Sequence, residues 1–83
     1  MHAQLENQLL QTVAETLEVP SGRLTLSSGV NTMDEWDSLA HLNIVLSVEE
    51  SFGVRFAPER IPELTSIEAL LVTLKDMQEG VRP

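Results

Sequence analysis

No cysteine occurs among these 83 residues. That excludes a disulfide framework, a thiol nucleophile and a thiolate metal site, and it leaves the redox compartment unmarked by the chain itself. Cations are scarce too: five Lys and Arg stand against 13 Asp and Glu, for a net charge of −8. A surface of that sign repels phosphate backbones and anionic headgroups, so nucleic acid and membrane are not expected partners. A protein with a basic patch is. No apolar run approaches the ~20 residues needed to span a bilayer, and the N-terminus lacks the charged-then-apolar plan of a signal peptide. A soluble cytoplasmic protein is expected. The two histidines, His2 and His41, are too few for a histidine metal site, so no metal is expected.

What is present is enough apolar material for one small core. Hydrophobic residues make up 42 % of the chain, which excludes wholesale disorder. The expectation is a single domain over 1–83 of modest stability, because a chain this short buries only about 60 % of its unfolded surface.

The apolar spacing is helical and nothing reads well as a sheet. Leu5, Leu9, Val13 and Leu17 recur every fourth residue, with Leu10 and Ala14 widening the stripe. Pro20, Ser21 and Gly22 are expected to stop that helix. From Leu24 to Trp36 the chain is irregular, with a turn signal at Ser28-Gly29, yet Leu24, Leu26, Val30 and Met33 require it to pack on something. A loop of this length in a small domain is often functional. A second helix begins at Asp37, a good N-cap, and runs to Phe52 with Gly53 placed to end it. Pro58 and Pro62 flank one short helical segment. Thr65 and Glu68 read as a capping box for the last helix, with Leu64 and Ala69 at the positions of a hydrophobic staple. Ile67, Leu70, Leu71, Leu74 and Met77 supply its apolar face, and Gly80 ends it. The predicted fold is all-α: a four-helix bundle of three long helices with one short third helix.

The second helix carries the functional information. At about 100° per residue, Ile44, Val45, Val48 and Phe52 gather on one side, and Leu39, Leu42 and Leu46 on the other. A surface helix needs an apolar face only somewhat wider than 100°, so one stripe is surplus to the core. The leucine stripe lies beside Ser38 and runs on to Glu49, with Glu50 at its border. It is expected to be a docking surface. No Lys or Arg occurs from Leu24 through Val54, whereas Asp34, Glu35, Asp37, Glu49 and Glu50 do, which fits attraction to a basic partner. Burial of the helix on two sides is the alternative.

Asp37-Ser38-Leu39, followed by the amphipathic run to Glu49-Glu50-Ser51-Phe52-Gly53, resembles the second helix of an acyl carrier protein. The likeness covers nearly the whole chain, with a leucine-rich first helix, a long loop, the Asp-Ser-Leu helix start, a short third helix and an apolar fourth in order. The resemblance implies that Ser38 carries a covalent 4′-phosphopantetheine drawn from coenzyme A, whose terminal thiol holds acyl groups as thioesters, with Asp37 beside it. It implies a phosphopantetheinyl transferase, an acyl-activating ligase or acyltransferase, and downstream biosynthetic enzymes as partners of a monomeric, non-enzymatic protein. Helix-start chemistry suits that role, since free backbone N–H groups and the positive end of the dipole favour a phosphodiester. Carriers of fatty-acid synthesis usually have glycine where Glu35 stands and often an acidic residue where Asn43 stands. The Glu-Trp-Asp-Ser-Leu form is similar to stand-alone carriers of specialised bacterial pathways.

Three other readings compete. An aminoacyl or peptidyl cargo would use the same serine, and a plain interaction module would use only the apolar strip. In the third, Ser38 would be a nucleophile with His41 as its base, within reach on a helix. That needs a third orienting group and an oxyanion hole, for which a bundle this small has little room. No catalytic residue is expected. Trp36, the only tryptophan, is read as a plug holding the long loop on the bundle, rather than as a transferase contact.

Overall fold

In the computed structural model, which describes residues 3–79, three long helices enclose the core: α1 (Ala3–Leu17), α2 (Ser38–Phe52) and α3 (Ile67–Glu79). A short 3-10 helix over Pro58–Glu63 precedes α3 and completes the four-helix, all-α arrangement, and a single 3-10 turn at Ser21–Arg23 follows α1. Both Pro58 and Pro62 lie within the short helix rather than flanking it. Among the described residues there is no strand, only one isolated bridge between Gly29 and Ser66.

The helical stripes read from the sequence become the core. Leu9, Val13 and Ala14 of α1, Ile44, Val45 and Val48 of α2, and Ile67, Leu70, Leu71 and Leu74 of α3 are buried together. The first helix ends sooner than its Pro20-Ser21-Gly22 stop implied. Glu18 takes a left-handed conformation, φ 60°, and Val19 N–H reaches back to Ala14 O at 3.0 Å while Glu18 N–H reaches Glu15 O at 3.3 Å. This is a Schellman closure built without glycine. Gly53 closes α2 in the same left-handed form, φ 65°, with Val54 N–H on Glu49 O at 3.1 Å. Gly80 lies outside the described residues.

The irregular chain between α1 and α2 is fastened to the start of α3. Leu26 O and Ser28 O accept the Glu68 and Ile67 N–H groups, each at 2.9 Å, and Val30 N–H donates to Thr65 O at 3.1 Å. The N-cap of α3 is therefore Ser66, whose Oγ accepts the Ala69 N–H at 3.2 Å, and not Thr65, whose carbonyl serves the loop instead. The capping box over Thr65 and Glu68 does not form as expected. Its replacement satisfies the first donors of α3 with loop carbonyls, groups that would otherwise be orphaned at a helix start. Gly29 permits this approach: a Cβ there would sit 2.2 Å from Thr65 O. Of the four apolar loop residues, Leu24 and Met33 are buried as expected, whereas Leu26 and Val30 remain substantially exposed.

Candidate functional site

The site starts at the first turn of α2. Asp37 is the N-cap in extended backbone, and its Oδ1 accepts the Ala40 N–H at 2.9 Å while its carbonyl accepts the His41 N–H at 2.8 Å. Ser38 follows as the first helical residue, exposed to solvent. In that position its own N–H and that of Leu39 have no acceptor inside the helix. An exposed hydroxyl thus sits beside free amide donors at the positive end of the helix dipole.

Below Ser38 runs the leucine stripe. Leu39, Leu42 and Leu46 are 70 %, 52 % and 61 % exposed, while Ile44, Val45 and Val48 on the other side of the same helix are buried. The alternative of a helix buried on two sides is excluded by this split. The stripe ends at Glu49 and Glu50, which share a shallow groove with Leu46, Val54 and Arg55. The two carboxylates differ. Glu50 is exposed, but Glu49 is partly buried and its Oε2 accepts the Phe56 backbone N–H at 2.8 Å. Glu49 is thus engaged in holding the chain that leaves α2, a contact invisible in the helical wheel. Arg55 ends the cation-free stretch at the lower edge of the same groove.

Two ties hold the chain just before Ser38. Arg23 forks onto Glu35, with guanidinium N–H groups 3.0 and 3.5 Å from the two carboxylate oxygens. That hydrogen bonding, helped by a backbone N–H and by the Arg23 charge, holds the Glu35 carboxyl below the usual carboxylate range. Trp36, 1 % exposed, is the plug: its indole N–H donates to His41 Nδ1 at 3.0 Å. His41 Nε2 lies 2.9 Å from Ile61 O. An indole N–H can only donate and a carbonyl can only accept, so these neighbours fix His41 as the neutral Nε2–H tautomer. Both ring nitrogens are occupied, and no hydrogen bond joins His41 to Ser38 Oγ. This relay is not legible in the sequence, because Ile61 lies 20 residues from His41 along the chain.

Among the described residues, no three His, Asp or Glu side chains gather as a metal site. No helix there is long and apolar enough to cross a membrane. No protein-family model matches the chain, and no curated protein matches it either.

Proposed function

We propose that this chain is an acyl carrier protein that holds acyl intermediates on Ser38 and presents them, as a cytoplasmic monomer, to the enzymes of a fatty-acid- or polyketide-type biosynthesis. The observation that carries the reading is the pairing of an exposed serine at the first position of α2 with an exposed leucine stripe on the same helix. The hydroxyl is accessible to a transferase, and the capped helix start around it has amide donors to offer a phosphodiester. A 4′-phosphopantetheine on Ser38 fits these residues; when bound, it supplies a thiol that holds acyl groups as thioesters.

The residues of the chain then divide their work. Asp37 fixes the helix start and so the direction of Ser38. Trp36 and Glu35 anchor the segment that delivers it. Leu39, Leu42 and Leu46 offer a partner enzyme an apolar surface, Glu50 a carboxylate for its Arg or Lys, and Glu49 mainly shape. Buried apolar anchors set affinity in such contacts, while rim charges set association rate and salt sensitivity. A phosphopantetheinyl transferase would read the same surface. The reading is tested by incubating the protein with a fluorescent coenzyme A and such a transferase: label on the wild type and none on a folded Ser38→Ala supports it, and label on Ser38→Ala refutes it.

A further inference from the structure

Among the described residues, neither ring nitrogen of His41 meets a charged group. Asp37, the N-cap that precedes α2, accepts the Ala40 N–H; Glu35 of the loop is held by Arg23; Arg60 and Glu63 of the short helix pair with each other at 3.1 Å. Asp34 and Glu59, on the same two elements, are exposed. The ring instead joins three segments of chain through neutral bonds: Trp36 in the loop, His41 in α2 and Ile61 in the short helix. The two aromatic rings lie 6.2 Å apart and are inclined at 28°.

This arrangement accepts one protonation state. The indole donates into the lone pair of Nδ1, and a proton on Nδ1 would set two N–H donors against each other. Trp36 is almost wholly buried, so its indole N–H would then lie unpaired away from water, which is costly. Nε2 would keep its bond to Ile61 O in either state. The loss falls on Trp36 alone, and Trp36 is followed directly by Asp37 and Ser38.

We propose that Trp36 and His41 form a proton-sensitive latch: neutral His41 holds the chain entering α2 closed, and a proton on Nδ1 releases Trp36. Histidine is the side chain suited to such a device, since its charge changes in the physiological range. The second tie, Arg23 to Glu35, does not depend on His41: the Arg23 guanidinium holds the Glu35 carboxyl below the usual carboxylate range. Release is therefore local: the segment loosens at Trp36 and remains held at Glu35. The inference rests on the hydrogen-bond geometry and not on the carrier reading.

The single tryptophan gives one indole N–H signal in 15N-labelled protein, and a His2→Gln variant identifies the ring nitrogens of His41. The pH is lowered from about 7.5 until the ring signals of His41 report its protonation. At the upper end His41 is expected as the Nε2–H tautomer. As it takes up its second proton, the indole N–H should lose about tenfold in hydrogen-exchange protection relative to its intrinsic rate. The midpoint should match that of the His41 ring, with helical circular dichroism unchanged. In His41→Gln the indole protection should not vary with pH. An Nδ1–H tautomer at the upper end, protection that is constant through the His41 titration, or an unaltered pH response in His41→Gln would each overturn the latch. If His41→Gln does not fold, the tautomer and the matching midpoints in the unaltered ring still decide.

Discussion

Phe56 donates its backbone N–H to Glu49 Oε2 at 2.8 Å, so a carboxylate on the leucine-bearing helix is bonded to the chain that turns away beneath it. Phe56 is itself a core residue, and the bond fixes where that ring enters. Glu49→Ala should cost about 1–3 kcal/mol, the usual consequence of leaving a part-buried donor unpaired. Glu50→Ala, at an exposed position, should stay within about 0.5 kcal/mol. Urea denaturation midpoints measure both. Glu50→Lys is then the cleaner probe of rim charge in partner association. Its effect should be largest at low salt and shrink where the screening length falls to about 8 Å.

The two sides of α2 should separate by stability. Ile44 is fully buried and Leu42 is half exposed. Ile44→Ala is expected to cost about 2–5 kcal/mol, and Leu42→Ala about 1 kcal/mol or less. For the proposed carrier role, Leu42→Ala should nonetheless weaken productive transfer to a partner enzyme. A Leu42→Ala loss as large as that of Ile44→Ala would place Leu42 in the core and remove the docking surface.

Gly29 is held to its identity by a neighbour rather than by its own dihedral angles. A methyl group there would overlap Thr65 O, part of the backbone that leads into α3. Gly29→Ala should therefore destabilise by roughly 1–3 kcal/mol or more, as overpacked sites do. Hydrogen exchange should show the Val30, Ile67 and Glu68 amides losing protection first, because their bonds join these two segments.

The Arg23–Glu35 tie makes a pH prediction with a definite sign. The Glu35 carboxyl is held below its ordinary value, so its contribution is fully present above the unfolded value near 4.5. It is lost as pH falls through the lowered folded value. Glu35→Gln should be less stable than the parent at neutral pH, and the two should converge in acid. Added salt should also narrow the gap, since both partners are solvent-exposed. A difference that persists unchanged at low pH would mean the carboxylate charge is not what the contact uses.

The long helices were legible because their signals are local. Asp37 and Gly53 mark α2 by cap chemistry at either end, and the wheel separates Ile44, Val45 and Val48 from Leu39, Leu42 and Leu46 without knowledge of neighbours. The start of α3 was not legible to the residue, because Thr65 and Ser66 are adjacent hydroxyls. The choice between them falls to Leu26, Ser28 and Val30, far away in sequence. The Trp36–His41–Ile61 relay and the Glu49–Phe56 bond were hidden for the same reason. Each side chain had a sound local reading, and a distant backbone group determined its partner. Glu18 in left-handed backbone escaped notice because that conformation is rare outside glycine, while Pro20-Ser21-Gly22 advertised a stop nearby.

Attachment of a carrier arm at Ser38, as proposed, is tested by mass spectrometry of the intact protein. The protein would be incubated with coenzyme A and a phosphopantetheinyl transferase, followed by proteolytic mapping of the modified serine. The expected result is a single added phosphopantetheine, located on Ser38, with Ser38→Ala unmodified and equally helical. A folded wild-type protein that gains no mass with a transferase active on a control carrier, or a gain mapped to any serine other than Ser38, would contradict it.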